Sequence, residues 1–286
     1  MTIRLATSEP DDRILSATRV TAALIVPFLV VAFVMLYLLP DATDRLFAWT
    51  IQPRMSALLM GAGYASGVYF FIRVVRAPRW HWIGRAFLPL TLFVCWLELT
   101  TILHWDRFHH GHIAFVTWTG IYTLTPVILP ALWLCNRGAD PGTPDSDDVL
   151  VPGLVRLVMG LVGATELALA SLMFLSPTSV ISVWPWALTL VTARSIGGWF
   201  ALHGAIGLAL AIETRWSGMR IVIHTQMIAL ALILAAVVRA WGDFKSSSPL
   251  TWVFVIGASG WLAALAAVHI GLDARRKSAG DVARAE

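Results

Sequence analysis

Charged residues are scarce in this chain. Asp, Glu, Lys and Arg make up 13% of its 286 residues, whereas 58% are hydrophobic. A soluble chain carries about 25% charged residues, which cover its surface. Because the apolar residues also come in long runs, the composition excludes an ordinary soluble domain and indicates an integral membrane protein.

Other absences exclude several classes of function. The chain has two cysteines, Cys95 and Cys135, at different predicted depths, so we expect no disulfide between them. It has no phosphate-binding loop, dinucleotide fingerprint, nucleophile elbow or His-Glu-x-x-His motif. Its net charge is +4, but the basic residues lie singly or in small groups beside apolar runs. That placement favours the lipid bilayer over nucleic acid as the partner.

Long apolar stretches predict the fold class. A helix needs about 20 apolar residues to cross a bilayer. The first stretch follows a polar segment without a cleavage site, so we expect an uncleaved first helix. The sequence predicts an all-α polytopic bundle with eight transmembrane helices, at about 17–39, 54–75, 84–105, 112–136, 153–176, 186–212, 218–240 and 250–272.

The basic residues also predict an orientation. If the N-terminus is inside, fifteen Lys and Arg residues fall in inner segments and five in outer ones, with Arg194 inside a span. The positive-inside rule then predicts a multi-pass plasma-membrane protein with both termini in the cytoplasm. The inner residues are Arg4, Arg13, Arg19, Arg73, Arg76, Arg79, Arg85, Arg137, Arg156, Arg215, Arg220, Arg275, Arg276, Lys277 and Arg284.

One polar segment divides the eight spans into two sets of four. Residues 137–152 combine proline, glycine and aspartate, which is typical of a flexible linker. We therefore expect an N-terminal four-helix unit over 1–136, a cytoplasmic linker over 137–152 and a C-terminal four-helix unit over 153–286.

The two sets resemble each other in sequence. Placing Trp49 on Trp186 also places Gly61 on Gly198, and the pairs Thr117-Trp118 and Thr251-Trp252 recur at a similar offset. A tandem repeat with an even number of crossings predicts two units in parallel orientation. Glycines in the second and sixth spans predict close helix contacts: Gly63, Gly67, Gly197, Gly198, Gly204 and Gly207.

Three segments carry a family resemblance. FAWTIQPRMSALLMGAGY at 47–64, LHWDRFH at 103–109 and WPWALTLVTARSIGGW at 184–199 are similar to a family of uncharacterised multi-pass membrane proteins of actinobacteria. The resemblance implies the repeated architecture and no activity.

Charged residues inside the predicted spans are candidates for a binding site. Glu98, Glu166 and Arg194 fall at similar depths, in the half of the membrane away from the termini. Such groups are expensive in lipid and often mark a function. Glu166 and Arg194 could instead form a structural ion pair. Otherwise the three would line a substrate-binding cavity that opens to the outside.

Histidines offer two further possibilities. His104, Asp106, His109 and His112 carry the ligand types that zinc or copper accepts, although their spacing matches no established motif. His224 and His269 fall at one level and could hold a haem as axial ligands. Solvated loops and hydrogen bonds between helices explain the same histidines without a cofactor.

These observations leave three functions open. The first is a transporter or binding protein for a small solute or lipid-like molecule. The second is a haem- or metal-binding membrane oxidoreductase. The third is a structural or assembly subunit, with an oligomer or another membrane protein as its partner.

Overall fold

Ten α-helices make up most of the computed structural model, which describes residues 11–146 and 148–285, with side chains through residue 278. Arg4 and Asp147, and the side chain of Arg284, lie outside the described residues. Eight helices are long and two, α2 and α7, are short. The helices are α1 (Ser16–Phe33), α2 (Thr43–Leu46), α3 (Arg54–Arg76), α4 (Phe87–Leu103), α5 (Ile113–Asn136), α6 (Gly153–Leu175), α7 (Pro177–Val183), α8 (Leu190–Ala211), α9 (Trp216–Arg239) and α10 (Pro249–Ala285).

Within the described ranges, seven helices are long and apolar enough to cross a membrane. They correspond to seven of the eight predicted spans. α8, the sixth predicted span, is not among them, because Arg194, His203 and four glycines lower its hydropathy. Fourteen of the 22 residues of α8 are buried, and it packs against α6 and α4. α8 and α3, which also has fourteen buried residues, are therefore the two long helices most surrounded by protein.

The helices of the two halves pack in matching pairs. α1 packs on α3, α3 on α9, and α9 on α10; correspondingly, α6 packs on α8, α8 on α4, and α4 on α5. Exchanging α1, α3, α4 and α5 with α6, α8, α9 and α10 reproduces the same set of contacts. α3 and α8 meet each other at the centre, where the ring of Trp199 lies against Gly63.

Two aromatic clusters at the end of the bundle away from residues 137–152 have nearly the same geometry. Trp49 packs on Phe108 with ring centroids 5.1 Å apart and on Trp118 at 4.9 Å. Trp186 packs on Phe244 at 5.1 Å and on Phe254 at 5.3 Å. Backbone hydrogen bonds also recur there: His109 to Ala48 and Lys245 to Pro185, both at 2.8 Å.

Short backbone bridges recur at the other end, which we call the linker end because it holds residues 137–152. Arg13 pairs with Arg79, and Leu150 pairs with Arg215. The segment predicted to be a flexible linker is fixed at several points. Its Asp145 binds Arg79, and its Asp140 binds Arg215.

A candidate binding cavity between α6 and α10

Glycines bring α6 and α8 into direct backbone contact. A Cβ atom added to Gly163 would lie 2.6 Å from the carbonyl oxygen of Gly204. One added to Gly204 would lie 2.7 Å from the backbone nitrogen of Leu167, and Gly207 is equally close to Gly163. The predicted close contacts at Gly204 and Gly207 are confirmed, since only small residues allow helices to approach this far.

A cavity of about 520 Å³ lies between α6 and α10, and its remaining walls come from α8, α9 and one side of α3. Apolar residues such as Ile233, Phe254 and Trp261 form most of the lining. Its volume falls within the range of about 300–1,000 Å³ that is usual for small-molecule sites. A few polar groups in an apolar wall are also typical of such sites.

Glu166 is the charged residue that lines this cavity. It lies on α6, thirteen residues after Gly153, or about 20 Å along the helix axis. Its carboxyl group has no hydrogen-bond or ion-pair partner among the described residues, and the residue is partly buried. An unpaired carboxylate in apolar surroundings is unfavourable, so this group favours a ligand that can donate to it.

Two further acceptors reach the same cavity. Gln226 is 5% exposed, and its Oε1 atom has no hydrogen-bond partner within the described part of the chain. The Nδ1 atom of His203 lies 2.8 Å from the carbonyl oxygen of Trp199, so Nδ1 carries the proton and Nε2 is an acceptor. Glu166, Gln226 and His203 thus all present acceptor atoms, which match a ligand with hydrogen-bond donors.

A smaller cavity of about 100 Å³ lies on the other side of the α3–α8 contact. It shares Gly63, Trp199, His203 and Gln226 with the larger one. Two tyrosines, Tyr64 and Tyr122, fill much of this region, and their hydroxyl groups are hydrogen-bonded at 2.9 Å. Of these two cavities, the larger one, walled mainly by helices of the C-terminal half, has the room for a ligand.

The structure does not bring together the three charged residues predicted to form one site. Arg194 donates to the carbonyl oxygen of Phe174 at 3.0 Å and to Nε2 of His104 at 2.7 Å. Glu98 accepts a hydrogen bond from Thr123 at 3.2 Å. Neither residue lines the cavity of Glu166, and Arg194 forms no ion pair with Glu166. The alternative of a structural Glu166–Arg194 pair therefore does not match the observed geometry.

The side chains of the predicted metal cluster contact separate partners. His104 binds Arg194, and burial together with this arginine lowers the pKa of His104. His109 contacts Phe47 and Thr50, His112 accepts from the backbone of Ala114 at the start of α5, and Asp106 pairs with Arg107. Within residues 11–146 and 148–285, no three His, Cys, Asp or Glu side chains converge as metal ligands.

His224 and His269, the predicted haem ligands, contact each other directly. Nε2 of His224 lies 3.2 Å from Nδ1 of His269, and the ring centroids are 4.5 Å apart. Two axial ligands must lie on opposite faces of the haem plane, with iron–nitrogen distances of about 2 Å on each side. The observed contact leaves no room for iron between the rings. It is a hydrogen bond between α9 and α10, extended by Tyr69 to α3.

A buried polar network at the linker end was not predicted from the sequence. Nδ1 of His81 lies 2.5 Å from Asp12, and its Nε2 lies 2.9 Å from the hydroxyl of Ser217, which in turn donates to Asp148. Arg215, two residues before Ser217, binds both Asp140 and Glu213. The sequence signal for this network was the dipeptide Arg-Trp, which occurs at 79–80 and again at 215–216 and in both places precedes a long apolar helix.

Glu213 makes the stability of this network dependent on pH. Burial alone would raise the pKa of Glu213, but hydrogen bonds from Arg215 and Arg85 outweigh it and lower the pKa from 4.5 to about 2. A carboxyl group with a lowered pKa stabilises the folded state above its unfolded pKa, and this contribution is lost as pH falls.

We therefore expect the thermal unfolding midpoint of the protein in detergent to decrease as the pH is lowered from about 4.5 to about 2. The Glu213→Gln variant should be less stable at pH 7 and should lose less stability over the same interval. Thermal unfolding followed by circular dichroism measures both. Parallel pH profiles for the two proteins would contradict the assignment of this pH dependence to Glu213.

Comparison with known proteins adds no assignment: the chain matches no family model, no curated protein and no solved structure.

Proposed function

We propose that this chain is a transporter or binding protein for a small, mainly apolar molecule that carries a hydrogen-bond donor. The observation that carries the proposal is the cavity of about 520 Å³ in which Glu166 and Gln226 present acceptor atoms that no described residue satisfies. A primary or secondary amine fits this set best. It would pair its charge with Glu166 and place its apolar body against Phe254 and Trp261.

The proposal includes α8 as an eighth span. Its 22 residues correspond to about 33 Å of helix, enough to cross the hydrocarbon core. A helix enclosed by other helices needs less hydropathy than one that faces lipid, because its polar groups contact protein. Eight crossings place both termini on one side. The excess of arginine at the linker end supports the cytoplasm of a cell bounded by a plasma membrane as that side.

We also propose that the two halves are copies of one ancestral unit in parallel orientation. The matching helix pairs, the two aromatic clusters and the two backbone bridges support this. An offset of 137 residues places Glu166 where the N-terminal half has Leu29, and both residues line a cavity. The acidic group is thus a difference between the copies, which favours a specific role for it in the C-terminal half.

The first test is amine binding to detergent-purified protein. We expect phenylalkylamines to raise the thermal unfolding midpoint, and the hydrocarbons of the same size to raise it less. The Glu166→Leu variant should bind the amine about 10- to 100-fold more weakly, as expected for loss of a charge-assisted hydrogen bond. Glu98→Gln is the matched control, because Glu98 is another carboxyl group within a span that does not line the cavity.

A space-filling variant tests the position of the site. A Cβ at Gly257 would meet no atom within 4 Å, and Gly257 lines the cavity. Gly257→Leu should therefore block amine binding while the protein still folds. Gly271→Leu on the same helix also meets no neighbour and should bind as the parent does. Equal binding by both leucine variants, or equal losses for Glu166→Leu and Glu98→Gln, would refute the site.

Transport is tested separately in proteoliposomes. Uptake of the best-binding radiolabelled amine should require the protein and should be abolished in Glu166→Leu. Binding without uptake would leave a binding protein and refute the transporter.

A further inference from the structure

A second cavity, of about 480 Å³, lies on the outside of the bundle at the linker end, between α4, α8 and the end of α5. Its two parts differ in chemistry. One part holds the guanidinium groups of Arg85 and Arg137, and the other is formed by aliphatic residues of α4 and α8 such as Leu88, Leu92 and Leu208. This cavity shares no lining residue with the cavity of Glu166.

The charges around this cavity do not cancel. Arg215 is bound by Asp140 and Glu213, and Arg85 uses its Nε atom toward Glu213 at 2.7 Å. Three charged residues line the cavity: Arg85, Arg137 and Asp140. Arg85 and Asp140 have partners of opposite charge, Glu213 and Arg215. Arg137 is the one without such a partner among the described residues, and its guanidinium group stacks on the ring of Trp133 at 5.3 Å.

Arg137 is exposed and has no carboxylate partner among the described residues, and His81, which also lines the cavity, is held by Asp12. The terminal nitrogens of Arg85 also have no hydrogen-bond partner within the described part of the chain. The polar part of the cavity thus offers a positive charge and free N–H donors to an anion.

The position of the arginines in the helices points to a lipid. Arg85 begins the apolar helical stretch Gly84–Leu103, and Arg137 lies near the end of the stretch Ile113–Ala139. Both therefore lie where an apolar span meets the membrane surface, at the depth of lipid phosphates. The aliphatic part continues from there toward the middle of the span. Leu88 is 48% exposed and Leu208 is 40% exposed, so an acyl chain can reach them.

We propose that this cavity binds an anionic phospholipid. Its phosphate lies between Arg85 and Arg137, and one acyl chain lies along α4 and α8. A free phosphate ion would use the arginines but leave the aliphatic wall uncovered. A zwitterionic phospholipid would cover the wall but bring its own cation beside Arg137.

The test measures which lipids stay with the protein. The full chain is equilibrated with detergent micelles containing phosphatidylglycerol and phosphatidylcholine in equal amounts, delipidated stepwise and analysed by native mass spectrometry. We expect one phosphatidylglycerol to be retained at least fivefold more than phosphatidylcholine. Arg137→Gln should abolish this preference. The matched control is Arg107→Gln, an exposed arginine at the other end of the bundle, which should leave the preference unchanged.

A second variant separates lipid from free phosphate. Leu88→Trp keeps both arginines and fills the aliphatic part of the cavity, so it should also lose the retained phosphatidylglycerol. Retention in Leu88→Trp together with displacement by millimolar inorganic phosphate would show an anion site without a lipid. That result, equal lipid retention by the parent and Arg137→Gln, or equal losses for the two arginine variants would each overturn the proposal.

Discussion

Replacing Arg215 by alanine is expected to destabilise the protein more than any other single side-chain truncation at the linker end. The Arg215 side chain is 3% exposed and lies 2.8 Å from Glu213 and 2.7 Å from Asp140. Its removal leaves two carboxylates without their main partner, and the side chain of Glu213 is itself 2% exposed. Breaking a buried ion pair in this way costs about 3–5 kcal/mol. Unfolding in mixed micelles, followed by circular dichroism, measures the loss.

Two controls distinguish a buried charge from a general effect of losing an arginine. Arg107→Ala breaks an exposed pair with Asp106, whose side chain is 76% exposed, and should cost less than about 1 kcal/mol. Adding Glu213→Gln to Arg215→Ala should restore part of the stability, because it removes one of the orphaned charges. If Arg215→Ala and Arg107→Ala were equally stable, the network would have no structural role.

The second large effect is expected from Gly204→Leu, which would force α6 and α8 apart. Even the first carbon of the new side chain would lie 2.7 Å from the backbone nitrogen of Leu167 and 2.8 Å from the carbonyl oxygen of Gly163. Backbone atoms cannot move aside as a flexible side chain can. The overpacking cost of about 1–3 kcal/mol for one added group is therefore a lower bound for leucine.

Because α8 lies at the centre of the bundle, we expect Gly204→Leu to lower the yield of monodisperse protein as well as its unfolding midpoint. Fluorescence-detected size exclusion measures the yield. Gly120→Leu is the control, since a Cβ at Gly120 meets no atom within 4 Å. An unchanged elution profile and midpoint for Gly204→Leu would contradict the direct α6–α8 contact.

Span positions were predictable from the sequence because each apolar run must be long enough to cross lipid. Seven predicted spans match helices that meet this requirement. The remaining one, the sixth predicted span at 186–212, also matches a helix, α8, within a few residues. The glycine contacts at Gly204 and Gly207 were also predictable, since glycine in a membrane helix often allows a neighbouring helix to approach closely. The sequence did not show that α8 would be the helix enclosed by α6 and α4.

The candidate site was only partly predictable, because neither the exact end of each span nor the rotation of each helix follows from the sequence. Glu166 and Arg194 were predicted at similar depths, but Arg194 contacts Phe174, eight residues beyond Glu166 on α6 or about 12 Å along the helix axis. Glu166 lines the cavity, whereas Arg194 binds His104. Gln226 carries no charge, so its position in a span does not distinguish it in the sequence from other polar residues. The sequence comparison placed Trp118 opposite Trp252 in the other half. In the structure Trp118 packs on Trp49, but the residue that packs on Trp186 is Phe254, two residues after Trp252.

The exchange of helix partners between the halves has a consequence for how such a bundle could arise. α3 packs on α9 of the other half, and α8 packs on α4, so the same surface pair is used twice. In a symmetric homodimer, an isologous interface repeats each contact in this way. Under the proposed duplication, the ancestral four-helix unit would have closed as a twofold dimer through these surfaces. Fusion of two copies of its gene would then have allowed one copy to carry Glu166 where the other carries Leu29.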